Sequence, residues 1–180
     1  MRKFALLTAS DMGRGWLSGP ALHPNQIISS CTGRLDPRES DLVETGSAGE
    51  FSSKGVMDIM QTVAVYPSAL EANAAWSRTM AASINGCMKE ALRHVAVRPV
   101  HARQLHPPAG GARAAGYRVV GRFEDRGRTI TMYFDQLIVH RGKTVTRVFL
   151  TSFQHPFNQR FETTVTRRIE ARLLRAPLAE

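Results

Sequence analysis

The sequence predicts an α+β domain: a curved antiparallel sheet of about five to six strands with two long amphipathic helices packed on one face, in the order α-ββ-α-βββ-α. Three observations carry this. From Tyr117 to Phe153, β-branched and aromatic residues alternate through three runs separated by the turns Glu124-Asp125-Arg126-Gly127 and Arg141-Gly142, the pattern of a meander. Phe157, Phe161, Val165, Ile169 and Leu173 recur four apart, and Leu70, Ala74, Met80, Ile84, Met88 and Leu92 recur at helical spacing, so each set lines one helix face. Finally, 180 residues, 43% hydrophobic and 22% charged, suffice for one core and not for two, so residues 1–180 are expected to form a single domain.

In chain order, Thr8-Ala9-Ser10-Asp11 reads as a capping box, with Asp11 reaching back to the start of a turn that Gly13 and Gly15 end. Trp16 tucks onto the domain and anchors a Pro/Gly/Ser-containing loop from Ser18 to about Glu39. Residues from about Leu42 to Ser53 and from Val56 to Tyr66 read as two strands joined at Lys54-Gly55, the second ended by Pro67. Ser68 caps the long helix, which runs to about Val95 and turns Cys87 to the core beside Ile84 and Met88. Pro99 to Gly111, with His101, His106 and paired prolines and glycines, reads as a loop. The meander strands are expected at about Tyr117–Phe123, Arg128–His140 and Lys143–Phe153, and the last helix from about Asn158 to Leu174.

The formal net charge of +9 points toward acidic partners. Its source is Arg spread along the chain rather than a block of like charge, and aromatic residues do not interleave with it, so specific nucleic-acid binding is not expected. No apolar run approaches the roughly 18 residues that cross a bilayer, and the opening from Met1 to Leu7 is too short for an intact signal peptide. Cys31 and Cys87 stand far apart with no C-x-x-C pair, which leaves one disulfide and two buried thiols equally open.

Polar residues on strands are the candidates for chemistry, because one face of each strand is buried. Asp58, Gln61, Tyr133, Asp135, Gln136, His140 and Arg147 qualify. Asp135 opposite Arg147 on the adjacent strand would form an ion pair lining a cleft, with Tyr117 and Tyr133 beside it; solvated side chains on an open face are the plainer alternative. As a binding site the set is Gln61, Tyr117, Tyr133, Asp135 and Arg147; as a catalytic site it is Asp58 and Asp135 as acid and base with Tyr133 as proton donor. His101, His106 and His155 show no H-x-x-x-H or H-E-x-x-H spacing, and no phosphate-binding or nucleophile-elbow glycine motif occurs, so neither metal nor cofactor is expected. Met57, Met60, Met132, Phe134, Phe149 and Phe153 furnish the core. The second and third meander strands carry apolar residues on both faces, a surplus that implies a cavity, a second covering layer or a homodimer interface.

The stretches Ala5-Leu6-Leu7-Thr8-Ala9-Ser10-Asp11-Met12-Gly13-Arg14-Gly15-Trp16 and Val63-Ala64-Val65-Tyr66-Pro67-Ser68-Ala69, Cys87 in its helix, and Asp135 to Gly142 before Val145 together resemble a family. It is the actinobacterial sensor-type domain found outside the cell in mycobacterial PknH-like serine/threonine kinases and in related lipoproteins. The resemblance implies an exported or lipid-anchored, non-catalytic domain, a Cys31 to Cys87 disulfide, and a cleft on a twisted sheet that receives a ligand. It carries over no functional side chain. No leader, lipobox cysteine, kinase domain or membrane anchor is legible in the chain. The expected function is therefore extracytoplasmic binding of a small amphipathic or acidic ligand or cell-envelope component. The competing expectation is a cytoplasmic cyclase or isomerase of a polyketide-like substrate, working in an apolar pocket.

Overall fold

The structure, a computed structural model, describes residues 6–21, 42–53, 57–80, 89, 93, 97–108 and 110–175. Among them are α1 (Ala9–Met12), β1 (Leu17–Ala21), β2 (Glu44–Ser47), β3 (Gly49–Ser53), β4 (Met57–Val65), α2 (Ala69–Thr79), β5 (Arg98–Leu105), β6 (Arg113–Asp125), β7 (Arg128–Arg141), β8 (Thr144–Phe153) and α3 (Gln159–Arg175). The strands form one eight-stranded antiparallel sheet in the order β1-β3-β4-β8-β7-β6-β5, with β2 also paired to β4. The class is the expected one, while the strand number and the element order differ from the expectation.

The differences have local causes. Leu17 to Ala21, expected as the start of a loop, is an outer strand; Pro20 lacks an N–H, which an outer strand tolerates. Leu42 to Ser53 is not one strand, because the register against β4 slips by one residue at Ala48 and divides it into β2 and β3. The expected Pro99 loop is strand β5, whose register breaks between Pro99 and His101 and leaves Val100 53% exposed. β6 starts at Arg113 rather than Tyr117, because Ala114, Ala115 and Gly116 continue its ladder with β7.

The helices also differ from the expected single layer. Side chains alternate along each strand, so register divides the sheet residues into two faces. On the first, Ile59, Val63, Leu105, Leu137, Val139, Val148 and Leu150 pack with Phe157, Val165, Ile169 and Leu173 of the α3 region. On the second, Tyr117, Val119, Ile138 and Val145 pack with Ala72 and Ala75 of α2. The helices therefore sit on opposite faces, and the doubly apolar meander strands are explained by this second covering layer. In α2 the buried positions are Ala72, Ala75 and Thr79, whose small side chains let the helix lie close to the sheet, while Leu70, expected in the core, is 78% exposed. Described helix α2 closes at Met80; of the segment expected to extend it to Val95, Lys89 and Arg93 are helical and the rest lies outside the described residues.

Several expectations hold. Asp11 accepts from the Thr8 backbone N–H at 2.7 Å and from its hydroxyl at 2.8 Å, and Gly13 and Gly15 take φ of 97° and 87°. Ser68 caps α2 by accepting from the N–H of Glu71 at 3.2 Å. Trp16 stacks on Phe157 and Phe161 with centroids 6.5 and 5.8 Å away, and the four-apart apolar set of α3 faces the sheet.

Candidate functional site

On the α3 face the register builds rungs that cross the sheet. Arg98, Arg122 and Thr131 form the first, inside the Glu124 and Thr129 pair at the β6–β7 turn; His101, Val120, Tyr133, Ser152 and Met57 the next; Arg103, Arg118, Asp135, Leu150 and Ile59 the third. Helix α3 begins over the third rung and covers everything beyond it, where Leu105, Leu137, Val148 and Val139 meet its apolar side. Among the described residues the first two rungs stay partly open: Arg98, His101 and Arg122 are exposed, and Val120, Thr131 and Tyr133 half-buried.

At the border between open and covered halves sits a buried ion cluster. Arg118 donates from Nε and Nη2 to the two oxygens of Asp135, both at 2.7 Å, and from Nη2 to Glu162 at 2.6 Å and to the Phe157 carbonyl at 2.9 Å. The three side chains are almost wholly sealed from water, and the stack of Trp16, Phe157 and Phe161 lies against the same end of α3. Tyr133 stands beside the cluster, its ring centroid 6.0 Å from the Arg118 guanidinium carbon. Burial and the neighbouring Asp135 charge push Glu162 up to about 7, against the pull of Arg118 and Arg103. Burial also raises Asp135, with Arg118 and Arg103 acting the other way.

Asp135 is therefore paired, but with Arg118 and not with Arg147 as expected. Arg147 lies opposite Ile138 and Thr62 on the other face, where its Nη2 donates to the Thr79 hydroxyl at 3.3 Å. Tyr117 shares that second face and donates its hydroxyl to the Met80 carbonyl at 3.2 Å, and burial raises its pKa. His140 also faces α2, its ring 5.8 Å from Trp76, with burial and Arg113 lowering its pKa against a contact to the Gly142 carbonyl. Buried Gln136 lies on this side as well, opposite Phe149, and Phe149 packs against Phe134 at 6.1 Å. Asp58, half-buried opposite Thr151, is on the second face too, with its pKa raised by burial. Gln61 is on the α3 face but one rung deeper, where its Oε1 accepts from the Leu7 N–H at 2.6 Å.

Of the sequence-derived set, then, only Tyr133 and Asp135 meet around one feature. The sheet itself separates Asp58 from Asp135, so the two carboxylates cannot act on a single bound molecule. Arg118 and Glu162 were not among the sequence candidates. Cys31 and Cys87 lie outside the described residues. Among those residues no group of three His, Cys, Asp or Glu side chains is placed to hold a metal ion, and no helix is long and apolar enough to cross a membrane.

Beside the open rungs run two adjoining hollows. One of about 540 Å3 is lined by Arg98, Arg122, Phe123, Glu124 and Thr129, the other of about 320 Å3 by Arg98, Pro99, Val100 and Arg122. Both share the same two arginines.

No family model matches the chain, and no curated protein sequence matches it. Among solved structures, the extracellular domain of PknH from Mycobacterium tuberculosis superposes with a TM-score of 0.51 over 93% of both chains at 10% sequence identity. At that identity the likeness is one of fold: this chain has a fold similar to that extracellular domain.

Proposed function

We propose that the chain is a non-catalytic, extracytoplasmic ligand-binding domain of sensor type, exported or lipid-anchored, taking a small acidic or amphipathic ligand or envelope component on the open end of the α3 face. The observation that carries this reading is the continuity of that open end with the buried Arg118, Asp135 and Glu162 cluster beneath the first turns of α3. A ligand seated against Tyr133 and Arg103 would act on the charges that hold the helix to the sheet. The fold supports an extracellular binding role by analogy, since its structural neighbour is an extracellular domain. The enzyme reading lacks its acid and base pair, because Asp58 and Asp135 lie on opposite faces and Asp135 already accepts two bonds from Arg118.

Thermal melts of the full chain against muropeptides, glycan phosphates and fatty acids test it. At about 100-fold excess over Kd a true ligand adds about 2.7 kcal/mol, which raises Tm by roughly 5–10 °C in a chain this size. The rise is expected to vanish in Tyr133→Ala and to persist in Asp58→Asn on the other face. A panel without a single response removes the reading, and the reverse pattern of variants moves the site to the α2 side.

A further inference from the structure

We infer that Arg98 and Arg122 form a subsite for the phosphoryl group of a soluble, hydroxylated small molecule; the assignment rests on the binding reading above and names the chemistry of its ligand. The two arginines are direct cross-strand partners on the same face of β5 and β6. Like charges directly opposite one another on neighbouring strands destabilise a sheet unless something neutralises them. Nothing among the described residues does so: neither arginine meets a carboxylate there. The acid nearest in sequence, Glu124, two residues along the same face of β6, accepts instead from the Thr129 hydroxyl at 2.6 Å.

A guanidinium presents a planar fork of donors that matches a tetrahedral oxyanion, and two forks balance a charge near −2, which a phosphate monoester carries and a carboxylate does not. The surrounding space fits a solute rather than a bilayer. The open hollows of about 540 and 320 Å3 that meet at these arginines fall in the range that small-molecule sites occupy. Polarity along the larger hollow sets the orientation. Its Arg98 and Arg122 end takes the phosphoryl oxygens, and its Glu124 and Thr129 end repels them while accepting from a ligand hydroxyl. Arg103, two rungs along β5, extends the positive field past Tyr133.

Titration calorimetry of the full chain with glucose 6-phosphate, inorganic phosphate and glucose at constant ionic strength tests the assignment. Both phosphates are expected to bind, the sugar phosphate more tightly, and glucose alone not to bind. In Arg98→Gln/Arg122→Gln the phosphate affinity is expected to fall about tenfold or more, the loss of charge-assisted paired hydrogen bonds. Both positions are exposed, so the variant folds, and relief of the cross-strand repulsion should leave its Tm equal to or above that of the parent. Equal phosphate affinity in parent and variant overturns the subsite, as does binding of phosphatidylglycerol vesicles without any response to the soluble phosphates. A non-phosphorylated ligand from the melting panel that stabilises parent and variant alike also overturns it, and leaves the binding reading standing.

Discussion

Asp135 and Glu162 share the guanidinium of Arg118 almost wholly out of contact with water, at 0%, 6% and 6% exposure. Removing the cation strands both carboxylates, and breaking a buried pair in this way costs about 3–5 kcal/mol. Arg118→Met is expected to lower the urea midpoint at pH 7 accordingly, and a loss below about 1 kcal/mol would show that the cluster contributes little to folding. Glu162 also gives stability a pH dependence. Its pKa rises from 4.5 to about 7 on folding, so between those values the folded chain keeps a proton that the unfolded chain releases. The contribution is complete below about 4.5 and is lost as pH rises through about 7; Asp135, also raised, adds in the same direction from lower pH. Glu162→Gln is expected to flatten the stability profile across that window, as read by chemical denaturation at stepped pH, and an unchanged slope would assign the titration elsewhere. How much of this was legible follows from counting. Asp135 and Tyr133 were found because polar residues in the middle of a strand stand out, but Arg147 was chosen as partner over Arg118. The two-residue turn Arg126-Gly127 pairs Asp125 with Arg128, and counting back from it puts Arg118 opposite Asp135. The turn after Arg141 puts Leu150 there on the other side and sends Arg147 to the far face. Glu162 had no such signal, because an acid in a helix's first turn looks like an ordinary complement to the helix dipole.

At the level of single elements, β6 depends on a close approach. Gly116 lies on the rung between Leu105 and Leu137, and a Cβ there would stand 2.8 Å from the Gln136 carbonyl oxygen and 3.2 Å from the Leu105 Cβ. The obstacle is backbone and cannot rotate aside, so Gly116→Ala is expected to destabilise by about 1–3 kcal/mol, the cost of overpacking a filled core, with no change in the far-ultraviolet signature of the sheet. A neutral urea midpoint would show that β5 and β7 spread freely. Long, strongly patterned elements were legible: β7, β8 and α3 fall within a residue or two of their expected ends. Elements that break their own pattern were not. β5 has an internal register break and mostly polar, exposed residues, and β2 and β3 looked continuous because a one-residue slip leaves composition untouched. In α2 the aliphatic residue Leu70 drew the buried face toward itself, whereas packing against a sheet favoured the alanines.

Over the whole molecule, the α+β class and antiparallel connectivity were legible because consecutive β-runs joined by two-residue turns permit little else. The distribution of helices was not. Apolar residues on both sides of β7 and β8 left a cavity, a second covering layer and a homodimer interface equally open, and periodicity says only that a helix has a greasy stripe, never which side of the sheet receives it. Register meanwhile puts Asp58, Tyr117 and Arg147 behind the sheet and Tyr133, Asp135 and the arginine rungs in front. The two outermost described strands share one further trait. β1 holds Pro20 within a register break between Ser18 and Ala21, and β5 holds Pro99 beside its own break before His101. Each of these two strands thus lacks a donor and kinks where a foreign strand would have to lie flat. Along these two strands, other copies of the chain find no flat template for growing ribbon upon ribbon.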